Sequence, residues 1–167
     1  EHRMKTQIFA KHTTSIMGGL IIALLLNGCA GGSWFSYTGR EAKPENRFVL
    51  KEGGPHSVIW HSPDLDLHYR YHLEGNQLTV EGRVVRQNRI KHFSQLKAWV
   101  SIHMLDADGI ILDTHRLWSQ NGSNVYGFMR YDFKKSWQLP PDNRAVGFSF
   151  SGVAGDSDTK WDFWQTP

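Results

Sequence analysis

The sequence predicts an all-β protein, an immunoglobulin-like antiparallel β-sandwich of about seven strands that follows an N-terminal signal segment. Three observations indicate this class. From Leu65 onward, apolar and polar residues alternate with a period of two, which is typical of strands with one buried face. Turn residues separate these runs at intervals of about 8–12 residues. No stretch of this region has the apolar spacing of an amphipathic helix. A small β-barrel is the alternative, because its strands alternate in the same way.

Two hairpins are the clearest predicted elements. The first joins runs at residues 65–73 and 78–84, and the second joins runs at residues 96–104 and 110–118. In the second hairpin, residues 106–109 read Asp-Ala-Asp-Gly, which suits a type I turn closed by a residue at positive φ. These two hairpins supply four of the expected strands.

Shorter runs complete the predicted domain. They lie, in chain order, at residues 47–51, 57–60, 126–133, 145–151 and 160–164. The first two are short enough to be edge strands. Together with the hairpins, these runs assign residues 47–167 to one sandwich domain.

The N-terminal part has the three parts of a secretory signal peptide, predicted at residues 1–28, with residues 1–3 as an upstream extension before Met4. After Met4, two lysines and no acidic residue precede an apolar run at residues 16–26. This run is much shorter than the ~20 residues with which a helix crosses a bilayer. It is therefore interpreted as a signal core and not as a membrane anchor.

The apolar run ends in Leu26-Asn27-Gly28-Cys29, which resembles the lipobox of bacterial lipoprotein signals. In that family a dedicated peptidase recognises the residues before the cysteine, here Leu26, Asn27 and Gly28, and cuts the chain directly before it. The resemblance implies that Cys29 carries a covalent lipid, and no cofactor is expected. Cys29 is also the only cysteine of the chain, so lipidation leaves no free thiol in an exported protein.

Residues 29–46 are rich in Gly, Ser and other polar residues, and they are predicted to be a lipidated flexible tether. Trp34, Phe35 and Tyr37 lie within it and either rest at the lipid headgroups or pack on the domain. The expected location is the bacterial cell envelope. In a bacterium with two membranes, Ala30 directly after the cysteine favours the outer membrane.

Charge and motifs argue against several function classes. The net charge of +3 at pH 7 includes the cations of the signal, and those of the domain are dispersed, so no nucleic-acid partner is predicted. The chain has no Walker loop, HExxH, paired-cysteine motif or dinucleotide fingerprint. Residues 147–151 lack the second glycine of a G-x-S-x-G motif and are interpreted as a core strand.

Two groups of residues look like parts of metal sites, but neither is predicted to bind a metal. His68 and His72 share the polar face of one strand, where residues i and i+4 lie about 13 Å apart. Asp106 and Asp108 look like the start of a calcium loop without its later ligands, and a hairpin turn explains them.

Residues 80–112 resemble the small bacterial FxLYD-type sandwich domains and the related late-embryogenesis-type sandwiches. The matching residues are Val80, Gly82, Val84, Asn88, Val100, Ile102, Leu105, Asp106, Gly109 and Ile111. The resemblance implies an envelope module with a binding or structural role, and it supplies no functional residue.

Tryptophans are the main compositional feature of the predicted domain, which contains Trp60, Trp99, Trp118, Trp137, Trp161 and Trp164. Most of them are expected in the core, where they compensate for the absence of disulfides. Trp99, Trp118 and Trp164 are the candidates for an exposed binding surface. Trp99 lies on the strand face opposite to that of Ala98 and Val100.

Three functions follow from these features, in decreasing order of preference. The first is a lipid-anchored envelope protein with a non-catalytic role, which binds another envelope protein or supports a complex. The second is a module that binds glycans of the cell wall or surface, with exposed indoles stacked on sugar rings. The third is a hydrolytic or metal-dependent envelope enzyme.

Overall fold

The structure is a computed structural model that describes residues 36–123 and 131–167. It confirms the predicted all-β fold, with two antiparallel sheets that are not closed into a barrel. Among the described residues, no helix is both long and apolar enough to span a bilayer. The strands are β1 (Phe48–Val49), β2 (Gly53–Trp60), β3 (Leu65–Glu74), β4 (Gln77–Arg86), β5 (Gln95–Leu105), β6 (Ile111–Ser123), β7 (Asp132–Gln138), β8 (Ala145–Gly155) and β9 (Lys160–Gln165).

One sheet has the strand order β2-β3-β4-β7, and the other has the order β6-β5-β8, with β1 and β9 both paired to the second edge of β8. The hairpins β3–β4, β5–β6 and β8–β9 each stay within one sheet. The chain changes sheet after β1, β4, β6 and β7, and β5 pairs with the distant β8. These crossings confirm the immunoglobulin-like sandwich.

The inward faces of the two sheets form the core. Phe148 lies near its centre, and the rings of Trp60, Tyr69 and Phe48 contact it at centroid distances of 5.4, 5.1 and 5.8 Å. Each fully buried apolar side chain of this kind contributes roughly 1.5–3 kcal/mol to folding. Because Cys29 is the only cysteine, this burial stabilises the sandwich without a disulfide within the domain.

Several strands extend beyond their predicted ends: β2 begins at Gly53 and β8 continues to Gly155. The two largest extensions, in β6 and β7, carry polar side chains that hide a continuing ladder. β6 was predicted to end at Trp118, but its backbone pairs with β5 as far as Ser123. β7 was predicted at residues 126–133, part of which lies outside the described residues, and it continues to Gln138. Its Lys134 and Lys135 are exposed while their backbone pairs with β4.

The predicted flexible tether is corrected at its C-terminal part, since the compact unit begins at Tyr37. Residues 37–46, hereafter the strap, cross the outer face of the β6-β5-β8 sheet. Backbone hydrogen bonds hold the strap to the start of β6, from Gly39 N to Ile111 O at 2.8 Å and from Ile111 N to Arg40 O at 2.9 Å. The strap lacks a sequence period because the backbone makes most of its contacts. Residues 29–35 lie outside the described residues.

Apolar and aromatic contacts add to this attachment. Ala42 is buried and packs with Leu105, Ile111 and Ala145 in a small second core. Tyr37 packs edge-on against His103 at a centroid distance of 5.4 Å. Of the two alternatives for the aromatic residues of the tether, Tyr37 therefore packs on the domain. Trp34 and Phe35 lie outside the described residues.

Asn46, the last residue of the strap, closes a gap in the sheet. Along the edge of β8, β1 pairs as far as Val146 and β9 begins to pair at Phe150. Between them the buried Asn46 side chain donates to Phe148 O and accepts from Phe148 N at 3.2 Å, as a neighbouring strand does. Gly147 permits this approach, because a Cβ there would lie 2.8 Å from Asn46 O.

Candidate binding face

Trp99 and Trp164 lie in one row across three strands of the β6-β5-β8-β9 sheet. Trp99 of β5 is directly opposite Ser151 of β8, and Ser151 is directly opposite Trp164 of β9. Directly opposite residues point to the same side of a sheet, and strands lie about 4.8 Å apart, so the two backbone positions are about 10 Å apart on the outer face. Trp164 is 69% exposed and Trp99 is 36% exposed.

Arg116 of β6 adds a cation to this row. A register shift between Val100 and Ser101 places Arg116 opposite Ser101 on the outer face. Its guanidinium carbon lies 5.9 Å from the centre of the Trp99 ring, a cation–π contact. Arg116 therefore covers part of Trp99 and still presents donors to a ligand, while Trp164 stays open.

A groove of about 590 Å³ adjoins the row on the same outer face. Its lining includes the small residues Gly122 and Gly155. Val153 of β8 lies in the middle of the groove, between β5 on one side and β9 on the other. Lys97 and Asp162 lie opposite Val153 on its two sides, so a cation and a carboxylate face the groove together. Trp99, Trp164, Arg116 and this groove are hereafter the binding face.

The other tryptophans do not join the binding face. Trp118, a predicted binding residue, is only 5% exposed, because it faces the core where its ring stacks with Tyr131 at 6.2 Å. Trp60 is buried and Trp137 packs against the core, so three of the six tryptophans lie in or against the core, fewer than the expected majority. Trp161 is 40% exposed on the opposite side of β9 from Trp164.

The outer face of the β2-β3-β4-β7 sheet holds a second, shallower groove of about 690 Å³. Glu81 accepts a hydrogen bond from Arg70 and lies 3.0 Å from Lys134 Nζ. The hydrogen bond from Lys134, and after it the one from Arg70, hold the pKa of the Glu81 carboxyl below its usual value. Arg83 pairs with Asp132 in the same way at 2.7 Å. Because these charges are already paired, this groove is larger than the first but is the weaker candidate.

His103 joins a hydroxyl on each side within the β6-β5-β8 sheet. One ring nitrogen lies 2.7 Å from Ser149 Oγ and the other 2.9 Å from Thr114 Oγ1. Burial lowers the pKa of the imidazole to about 4. A hydroxyl–imidazole pair is a part of some nucleophilic sites, but here both residues are buried and Tyr37 packs against the ring, so no substrate reaches it.

The predicted turn at residues 106–109 is confirmed. Asp106 accepts from the backbone N of Asp108 and of Ile110 at 2.9 and 2.8 Å, and Gly109 has φ +84°. The Asp106 carboxylate thus closes the hairpin. Within the described ranges, no three His, Cys, Asp or Glu side chains form a group that would hold a metal.

Comparisons of the chain with protein-family models, curated proteins and solved structures find no match. Leu26, Asn27, Gly28 and Cys29 lie outside the described residues, so cleavage and lipid attachment stay predictions. The resemblance of residues 80–112 to small envelope sandwiches also stays a prediction. Sequence reasoning did not find Arg116, because its place beside Trp99 depends on the register shift within the β5–β6 hairpin. It did not find the groove, because the groove depends on the pairing of β5 with the distant β8.

Proposed function

We propose that this protein is a non-catalytic binding protein of the bacterial cell envelope, held at a membrane by lipid on Cys29, and that its binding face captures a protein partner. One observation carries the proposal: Trp164, 69% exposed, lies in the same row as Trp99, which is in contact with Arg116. Trp and Arg are the residues that most often dominate the binding energy of protein interfaces. An indole held open to water on a regular strand gains most from being covered.

The groove supports a second candidate, a glycan ligand. Its volume of about 590 Å³ lies in the range of small-molecule sites, and Lys97, Asn121, Lys160 and Asp162 line it with donors and acceptors suited to hydroxyl groups. Trp164 beside it offers a flat face for a sugar ring. The partial cover of Trp99 by Arg116 leaves only Trp164 largely open, which favours the protein partner over an extended glycan.

Affinity capture with the full chain tests the proposal. We expect Trp164→Ala to reduce capture of the partner from envelope extracts at least tenfold, because truncation of a central hot-spot residue costs about 2 kcal/mol or more. Ile59→Ala is the matched control, since Ile59 is also exposed but lies on the other sheet. The captured protein is then purified and its affinity for both variants is measured.

Titration with peptidoglycan fragments and envelope polysaccharides tests the second candidate on the same variants. Saturable glycan binding that is lost in Trp164→Ala and Asp162→Asn, with no protein captured, would replace the protein partner by a glycan. Turnover of ester, peptide or glycoside substrates would contradict the non-catalytic role. Equal capture by wild type, Trp164→Ala and Ile59→Ala would exclude the binding face as the site.

A further inference from the structure

β9 is a regular edge strand that the described strands leave open on one side. It pairs with β8 at six consecutive positions without a register shift, and no strand of the described residues pairs with its other edge. Two other edge strands carry features that hinder pairing: β2 contains Pro55 and a register shift, and β7 carries the adjacent Lys134 and Lys135. β9 contains no proline, no register shift and no adjacent pair of lysines, and such a regular edge is a template for another strand.

The side chains of β9 restrict which strand can pair with its open edge. Lys160 and Asp162 are exposed on the outer face, and Trp161 between them is 40% exposed on the opposite side, where the Arg89 guanidinium lies 5.1 Å from its ring. Two charges of opposite sign, separated by one residue, form a self-complementary pattern. In an antiparallel pair of identical strands centred on Trp161, Lys160 of each chain lies opposite Asp162 of the other.

If the two-fold axis passes through a residue, residues that face outward in one copy lie opposite residues that face outward in the other. If it passes between two residues, the outer face of one copy continues into the inner face of the other. Centring the pair on Asp162 would place two like charges directly opposite each other, which is destabilising. Centring it on Phe163 would place Asp162 opposite Trp164 and leave Lys160 without a carboxylate. The register centred on Trp161 alone gives two opposite-charge pairs and an aromatic pair.

We propose that two copies of this chain associate through β9, in an antiparallel pair with the two-fold axis at Trp161, so that their β6-β5-β8-β9 sheets become continuous. Such an isologous pair uses the same surface on both copies. Within β9 this register pairs three residues of each chain, Lys160, Trp161 and Asp162, so the paired segment is short. Both binding faces then lie on the same side of one sheet.

The contact is small compared with interfaces that are stable in free solution. Its occupancy therefore depends on a high local concentration, which attachment of both copies to one membrane supplies. In this respect the inference rests on the proposed lipid anchor. The pairing itself does not depend on the identity of the partner or glycan at the binding face.

Site-specific disulfide formation in membranes tests the register. In the full chain, we expect Trp161→Cys to form a disulfide-linked dimer under mild oxidation, because opposite residues of an antiparallel pair have Cα atoms about 4.5–5.5 Å apart, within the range of a disulfide. Asp162→Cys is the matched control, and we expect at least fivefold less cross-linked dimer from it. The unsubstituted chain reports any cross-link through Cys29.

A second pair of variants leaves Trp161 in place in case its substitution affects folding. Membranes with both Lys160→Cys and Asp162→Cys chains are expected to yield a cross-linked heterodimer, whereas membranes with Lys160→Cys alone are not. Charge reversal tests the cause: Lys160→Asp is expected to reduce the Trp161→Cys cross-link severalfold, and addition of Asp162→Lys is expected to restore it. Thermal melts of each variant check the fold.

Equal cross-linking of Trp161→Cys and Asp162→Cys would overturn the register. Failure of both Trp161→Cys and the mixed Lys160→Cys and Asp162→Cys chains to cross-link, with the fold intact, would overturn the pairing. These outcomes are separate from those of the proposed function, because Trp164→Ala reports capture of a partner and leaves the β9 backbone edge unchanged. Membrane release of the unsubstituted chain would contradict the anchor without deciding the pairing.

Discussion

The imidazole of His103 is fully buried, although this residue type titrates near neutral pH. Its two nitrogens contact the Ser149 and Thr114 hydroxyls, which adapt to a neutral ring by donating or accepting. No carboxylate contributes to the lowered pKa of about 4, whose cause is burial. The folded state therefore holds this ring in its neutral form, with a proton on one nitrogen only, at neutral pH.

The pH dependence of stability follows from His103. An unfolded chain binds a proton to this histidine below pH 6.5, whereas the folded chain does so only below about pH 4. The unfolded state thus binds more protons between these values, and the free energy of unfolding falls by about 3 kcal/mol as the pH drops from 6.5 to 4. Denaturant titrations at several pH values measure this, with His103→Gln as a control that keeps polar groups but does not titrate. Parallel profiles of the two proteins would contradict it.

The tryptophans show which side-chain positions can be predicted from a single sequence and which cannot. Alternation correctly places Trp99 on the face opposite to that of Ala98. The prediction that Trp118 belongs to an exposed binding surface is wrong, because the register shift between β5 and β6 lets Leu117 and Trp118 both become buried. The row that joins Trp99 to Trp164 requires the pairing of β5 with β8, which follows from no local pattern.

At the scale of elements, local alternation predicted the hairpins β3–β4 and β5–β6 because both strands and their turn lie in one short stretch. Elements held by backbone contacts escaped prediction. The strap has no apolar period, and the end of β6 reads as polar turn residues although it pairs with β5 to Ser123. Sequence patterns record which side chains are buried, and these segments bury few.

Gly82 tests the close packing of β3 against β4. A Cβ at this position would clash with the carbonyl oxygen of His68 and lie 2.7 Å from Tyr69 Cα, both of them backbone atoms that cannot turn aside. We expect Gly82→Ala to lower the free energy of unfolding by about 2–3 kcal/mol, typical of overpacking. Gly122→Ala is the control, because the nearest atom to its Cβ is the flexible Gln120 side-chain nitrogen at 3.4 Å. Equal melting temperatures of the two variants would contradict this account.

For the whole molecule, the proposed lipid on Cys29 decides where the sandwich works. We expect Cys29→Ala to abolish incorporation of a fatty-acid probe and to release the protein from membranes, because a single peptide tether has no other strong anchor. Fractionation of cells that produce the wild-type protein shows which membrane holds it. Equal labelling of Cys29→Ala and wild type would contradict lipid attachment at this residue.

The strap has a mechanical consequence for an anchored molecule. Because the fold begins at Tyr37, the chain between Cys29 and Tyr37 reaches at most about 28 Å at full extension, at roughly 3.5 Å per residue. If the proposed lipid holds Cys29 at a bilayer, the sandwich stays within a few nanometres of that membrane and reaches only ligands in this layer. Any tension between the membrane and the domain would pass through the strap, where the Arg47 side chain donates hydrogen bonds to both Ala42 O and Asp108 O and so ties the strap to the β5–β6 turn.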